Sequence, residues 1–506
     1  MITNRIFNYK LYNTYYKTTL QITLLQTYYT ATNRRMAHTI ADTIADKAQL
    51  FKDYLNRTGM QHKDYQYDGV KWCLNNELRN DPPCNTRGGL IADEMGLGKT
   101  IMMIGTFYAN PLPNTLIVLP PVLIDQWDTQ IYLTTGIKSL IYHGKNKNKI
   151  TLQQLTQANI VITTYGAVTL TKKQKDQQQN TLLHQIQWSR IVFDEAHHLR
   201  NANTSKCCSA RLLQTNIRWL VTGTPVQNSK KDFYSLCSTL KLPASYYTEK
   251  DNLKDLTSNF ILKRTKKQVG IHISDISHNH NTVQWTNQDE MLLARDIHSR
   301  LAFSKVSPNK SDNPHNVLQL MLQAKQACIM PSLLIPSKDK DEQLHISSKL
   351  DSIINNIIDR KNNGAGKLIF CNYRKEIDEV ADRLIHAGLT VAKFDGRTPF
   401  AKRQLILNQP NDVLILQIQT GCEGLNLQQN YSEIYFVSPH WNPAVEDQAI
   451  ARCHRIGQTK PVYVHRFEMD TFVKDHHQLS NTVTIENYTT SLQQSKRDIA
   501  NECIEP

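Results

Sequence analysis

Two short stretches carry residue types whose spacing could hydrolyse a nucleoside triphosphate. The first is Asp93-Glu94-Met95-Gly96-Leu97-Gly98-Lys99-Thr100, which follows an apolar lead-in and runs into Ile101-Met102-Met103-Ile104. Gly96 and Gly98 allow a tight bend that turns successive N–H groups toward a phosphate. Lys99 adds positive charge at the β and γ phosphates, and Thr100 offers a hydroxyl to Mg²⁺. The helix that follows contributes the positive end of its dipole. In the usual spacing of such a loop, G-x-x-x-x-G-K-[ST], a glycine would stand where this chain has Asp93. The second stretch is Asp194-Glu195-Ala196-His197-His198, directly after the apolar run at 191–193. An acid at a strand end can hold the Mg²⁺ that bridges the phosphates, and a second acid beside it can orient and deprotonate the attacking water. Asp194 takes the metal role and Glu195 the water role. An isolated Asp-Glu pair could merely cap a helix, but the phosphate loop upstream favours hydrolysis. The two adjacent histidines are a poor metal pair, because neighbours on a turning chain seldom share one ion.

The elements that must position these residues are legible as alternation. From about residue 51, short aliphatic runs alternate with longer amphipathic stretches, the pattern of βαβ units around a parallel sheet. Strands are predicted at 115–119, 160–163, 190–193 and 219–221. A second series at 367–370, 391–394, 413–416, 433–437 and 462–464 implies a second α/β domain. Open sheets of this kind bind ligands at the carboxyl ends of their strands. Residues 266 to about 345 are polar and mixed, with helices predicted at 287–303 and 317–328. Residues 1–50, without an acid before Asp42, read as a flexible basic arm, and Met36 is a second candidate start. The polar tail beyond 480 reads as loosely attached.

The 506 residues suffice for two or three domains, and the formal charge of +14 favours a polyanionic partner such as nucleic acid. Ten cysteines are scattered without a CxxC pair, which favours a reducing compartment. No apolar run reaches the roughly 20 residues a bilayer requires, so a soluble protein without a membrane partner is expected.

The phosphate loop together with Asp194-Glu195-Ala196-His197 resembles the superfamily-two ATPases of the Swi/Snf type, whose loop carries this same Asp-Glu-Met-Gly-Leu-Gly variant. The resemblance runs from about residue 65 to about 471. Residues 65–72 resemble the adenine-side motif, with Gln66 as its glutamine. Residues 119–127 and 163–166 resemble first-lobe nucleic-acid motifs, and 220–228 a motif coupling hydrolysis to lobe movement. Residues 395–398, 421–427, 441–443 with Glu446, and 448–458 resemble second-lobe motifs. The resemblance implies two RecA-like parallel-sheet lobes, at 51–265 and 266–480, with an ATP cleft between them. It implies ATP and Mg²⁺ as ligands, with residues 93–100 and Gln66 at the nucleotide. Gln448, Arg452 and Arg455 then complete the catalytic set, Arg455 as the finger that stabilises the transferred phosphoryl group. The two arginines lie three apart, about one helical turn, so both could face one cleft. Thr163, Thr164, Gly396, Arg397 and Asn426 are the implied DNA-backbone contacts.

Three departures stand out: Cys422-Glu423 in place of small residues, Ser438 and His440 in place of acidic or aromatic ones, and Cys328-Ile329-Met330-Pro331 without a histidine. The clusters Lys145, Lys147 and Lys149, Lys172, Lys173 and Lys175, and Arg264, Lys266 and Lys267 are the local basic clusters that could meet DNA, though each alone is more often a solvated face. The implied protein is a double-stranded DNA translocase that remodels chromatin or displaces bound proteins in the nucleus, with nucleosomes or transcription factors as further partners. Its compactness resembles the viral members of the family, those of baculoviruses in particular, and implies a role in transcription in an infected nucleus. The competing functions are a strand-separating helicase and a non-hydrolysing scaffold.

Overall fold

The computed structural model describes residues 40–58, 63–177, 180–301, 314–334, 347–399, 405–406, 409, 411–418, 425–472 and 483–504. The chain forms two compact units that part between Val269 and Gly270, with Gln227–Ser229 belonging to the second.

The first unit is built on β1 (Arg87–Ile91), β2 (Thr115–Leu119), β3 (Leu140–Tyr142), β4 (Ile160–Thr164), β5 (Gln187–Asp194), β6 (Gln214–Val221) and β7 (Ile261–Leu262). Their order is β3-β4-β2-β5-β6-β1-β7, and every pairing is parallel. β2 and β4 are buried along their whole length, as continuous apolar runs must be when helices cover both faces of a sheet. β6 lies between β5 and β1, so the acidic strand end and the phosphate loop open from strands about 10 Å apart.

The second unit holds β8 (Ile276–Val283), β9 (Gly366–Cys371), β10 (Val391–Phe394), β11 (Val413–Gln417), β12 (Tyr431–Phe436) and β13 (Val462–Met469), in the parallel order β10-β11-β9-β12-β13-β8. The two-sheet α/β architecture is thus the expected one. β8, Ile-Ser-His-Asn-His-Asn-Thr-Val, was not expected. It is an edge strand in which only Val283 is fully buried, so it needs no apolar pattern. The helices expected at 287–303 and 317–328 run over Gln288–Ser299 and Pro314–Ile329.

Both chain ends differ from expectation. The helix Ile40–Thr58 passes through the proposed end of the arm at residue 50 and buries Ile44, Ala48, Phe51, Tyr54 and Leu55 in the first core. A Cβ on Gly105 would lie 2.8 Å from the Phe51 ring, so that glycine makes the fit. Residues 1–39, with Met36, lie outside the described residues. The polar tail is not loosely attached: the helix Ile485–Ile504 buries Ile485, Glu486, Thr489, Gln493 and Cys503. Its anchors are polar, which is why composition hid them. Glu486 is ion-paired with the buried Lys349 and accepts from Met469 N (2.9 Å). Lys496 donates to Trp441 O (2.6 Å), and Arg497 pairs with Asp447.

Candidate active site

β1 ends at Ile91, and the chain turns through 92–98 before the helix Lys99–Ala109 begins. Gly96 and Gly98 have φ of 91° and 80°, a region that glycine enters without steric cost. A Cβ on Gly98 would also lie 2.5 Å from Gln66 Nε2. Gln66 is buried, and its amide donates to Leu97 O (3.2 Å), so the expected adenine-side residue supports the crest of the loop. The Lys99 ammonium donates to Asp93 O (2.8 Å) and Glu94 O (3.3 Å). Burial lowers its pKa, while the carboxylates of Glu195, Asp93 and Asp194 act to raise it. Thr100 follows in the first helical turn.

Two of the expected nucleotide contacts have another role. The Asp93 carboxylate is fully buried and accepts from Arg264 Nε (3.1 Å) and Nη2 (2.6 Å). Glu94 accepts from Lys266 Nζ (3.0 Å) and from Lys266 N (2.8 Å). Carboxylates engaged in this way brace the loop; facing a phosphate they would repel it. Leu97 is buried too, and Met95 lies against the loop after β6, where a Cβ on Gly223 would come within 2.7 Å of it. Arg264 and Lys266, candidate DNA contacts by composition, are turned to these acids.

At the end of β5, Asp194 Oδ2 accepts from Trp127 Nε1 (2.7 Å) and Oδ1 from Glu195 N (2.9 Å), while Asp194 O accepts from Tyr165 OH (2.7 Å). Trp127 and Tyr165 fall within the stretches expected to meet nucleic acid, yet their polar atoms hold the acid. A buried indole N–H requires a partner, but nothing in the sequence names which. Burial raises the Asp194 pKa to about 7; the Glu195 charge adds to the rise, and the bonds from Trp127 and Glu195 N and the charge of Lys99 oppose it. Glu195 adopts φ 50°, ψ 49°, a left-handed conformation rare outside glycine. His197 Nδ1 lies 3.2 Å from Glu195 Oε2 and 3.3 Å from Thr222 Oγ1. The first histidine therefore links Glu195 to the loop after β6, and Gly223 of that loop lies close to Lys99. A glycine turn at the start of a helix, a buried ammonium and a buried carboxylate are a donor set that fits ATP with Mg²⁺.

In the second unit, Asn442 caps the helix Pro443–Ile450 by accepting from Ala444 N (3.1 Å), and Gln448 is buried on it. The helix ends before the arginines, so Arg452 and Arg455 do not share a helical face as their spacing implied. The buried Cys453 and the positive φ of Gly457 turn the chain instead. Leu427 N donates to Arg452 O (3.1 Å), and the Arg455 guanidinium donates to the Asn426 side chain. Burial lowers the Arg455 pKa, and the neighbouring Arg452 charge adds to the effect.

Several of the expected DNA contacts are engaged within their own units. Thr163 and Thr164 are buried, with hydroxyls bonded to Tyr142 O (2.9 Å) and near His143 Nδ1 (3.4 Å). Arg397 spends its guanidinium on Asp378 and Asp395, which raise its pKa. At Gly396 a Cβ would meet nothing closer than 3.5 Å, so no close approach demands glycine there. Residues 421–424, with Cys422-Glu423, lie outside the described residues. Ser438 accepts from Asn372 Nδ2 (3.0 Å), and His440 N donates to Glu446 (2.9 Å), so these departures are built into the unit. Near the segment without a histidine, Cys328 Sγ lies 3.8 Å from Nε2 of His298 on another helix.

Residues 65–333 match the SNF2-related domain family, and residues 348–457 match the helicase conserved C-terminal domain. Among curated relatives, the chain is 26% identical over 468 residues to chromodomain-helicase-DNA-binding protein 8 of Danio rerio, covering 81% of this chain and 18% of that protein. It is 27% identical over 464 residues to chromodomain-helicase-DNA-binding protein 9 of Homo sapiens, covering 82% and 16%. The chain thus spans less than a fifth of the length of these two relatives. The Sulfolobus solfataricus SWI2/SNF2 ATPase core in complex with dsDNA aligns at 22% identity with a TM-score of 0.38, over 88% of this chain and 93% of that one.

Proposed function

This chain belongs to the SNF2-related family of helicase-like, DNA-dependent ATPases, and from that premise we propose that it is an ATP-driven translocase on double-stranded DNA. The observation that supports this most is the convergence at adjacent strand ends of Lys99, Asp194, Glu195 and the His197–Thr222 link. The loop N–H groups and Lys99 bind the phosphates, and Gln66 keeps the crest of the loop in place. Mg²⁺, when bound, would be held by Asp194 and Thr100 and would neutralise phosphate charge. Glu195 orients a water for attack on the γ phosphorus and accepts its proton, as the bond to the bridging oxygen breaks and ADP leaves. Arg455, with Arg452 as its partner and Gln448 as the third residue of the set, is the proposed source of the charge that stabilises the transferred group. His197 carries the state of Glu195 to Thr222.

Double-stranded DNA is the proposed track. Chromatin or transcription-factor complexes in a nucleus, a host nucleus for a viral chain, are the proposed targets; the curated relatives named as chromodomain-helicase-DNA-binding proteins support this direction. ATPase assays with duplex DNA, single strands and RNA test the reading. Stimulation by duplex, with displacement of a triplex strand and no unwinding, is the expected result. Preferential stimulation by single strands or RNA with unwinding supports the helicase alternative instead. Glu195→Gln should bind ATP and lose turnover; full biological function without turnover would favour a scaffold.

A further inference from the structure

The rising limb of the phosphate loop is tied along its length to the last segment of the first unit. Ala92 N donates to Leu262 O (2.8 Å) and Glu94 N to Arg264 O (2.9 Å), so the β1–β7 pairing continues past both strands into the loop. On the side-chain level Arg264 holds Asp93 with two nitrogens, and its third donates to Tyr65 O (2.5 Å), next to Gln66. Lys266 holds Glu94 through both its ammonium and its backbone N–H. The carbonyls of these same two acidic residues receive the Lys99 ammonium. The second unit begins at Gly270, a few residues beyond Lys266.

We propose that Arg264 and Lys266 are positioning residues for ATP binding, a strap that ties the phosphate loop to the segment through which the chain passes into the second unit. A displacement of residues 264–269 reaches Lys99 through Asp93 and Glu94, so the grip on ATP depends on the state of that segment. This rests on the assignment of the loop to ATP.

The test is a charge exchange. Lys266→Glu and Glu94→Lys should each raise the KM for ATP roughly three- to tenfold, the effect of weakening one charge-assisted hydrogen bond, with DNA affinity unchanged. The double exchange should recover most of the loss. The Glu94 side chain is 40% exposed, which suits it to carry the exchange, and the more buried Lys266 is read through the double variant and through Arg264→Lys. Arg264→Lys keeps the charge but loses the two-pronged grip on the buried Asp93, and should raise KM and lower the melting temperature, as removing a donor from a buried acceptor does. Hydrogen exchange over residues 92–98 reads the strap without nucleotide, and should quicken in each single variant. Unchanged exchange, a double variant no better than the singles, or a Lys266→Glu loss that lies in DNA affinity overturns the proposal. A wild type that binds no ATP, with exchange still responding to the variants, overturns the ATP assignment on which it rests.

Discussion

Asp194 carries its function in its environment. A carboxylate sealed against Trp127 and beside Glu195 holds its proton up to about pH 7, whereas an exposed aspartate would be ionised well below that. Metal binding needs the ionised form. As pH falls through 7 the proton competes, so the KM for Mg·ATP should climb, approaching about tenfold per unit once Asp194 is mostly protonated; a profile flat to pH 5.5 would count against Asp194 as the metal-binding acid. Trp127→Phe removes the donor that lowers this pKa. The acidic limb should then move to higher pH, and stability should fall by about 1–3 kcal/mol for the acceptor left buried, measurable by urea denaturation. Arg397 carries the converse lesson. Composition marks it as a cation, but Asp378 and Asp395 already neutralise it.

At the scale of elements, the helix Arg374–His386 is started by Glu376, whose carboxylate accepts from Asn372 N and Tyr373 N, both at 2.9 Å. Burial raises its pKa from 4.5 to about 7, with those two bonds opposing the shift. The folded state then holds more protons than the unfolded state between these values, so stability falls as pH rises through the window and levels off above it. Glu376→Gln keeps an acceptor for the helix start without the charge. It should match wild type at pH 4.5 and exceed it by on the order of 1–3 kcal/mol at pH 8, as thermal melts at the two pH values would show. The terminal helix Ile485–Ile504 makes the opposite case, because its buried charge has a partner. Glu486→Ala strands Lys349 inside the second unit and should cost about 3–5 kcal/mol, whereas replacing both with apolar residues of similar volume should recover most of it.

Across the whole molecule, the terminal helix bears on the arginine-bearing segment through Gln493, Lys496 and Arg497, which hold His440 O, Trp441 O and Asp447. A chain cut after residue 482 should therefore lose ATPase turnover and become protease-sensitive in the second unit, while the first unit still binds ATP. Full turnover in that truncation would mean the helix is dispensable. The sequence alone located the glycine-bearing loop after one strand and the acidic pair at the end of another, because local backbone requirements and strand patterning are written in consecutive residues. It also determined the parallel α/β class, because strands buried on both faces must be short and continuously apolar. Tertiary structure decided the rest. β8 and the terminal helix escaped notice because polar contacts, unlike burial, impose no periodic pattern. Arg264, Lys266, Trp127 and Tyr165 changed role because a charge or a ring declares its partner only when strands far apart in the chain come together. Asp93 and Glu94, read as part of the nucleotide's cradle, became the points where that cradle is fastened. Which atoms face a ligand and which brace the residues that do is settled by packing, since the same carboxylate serves either purpose.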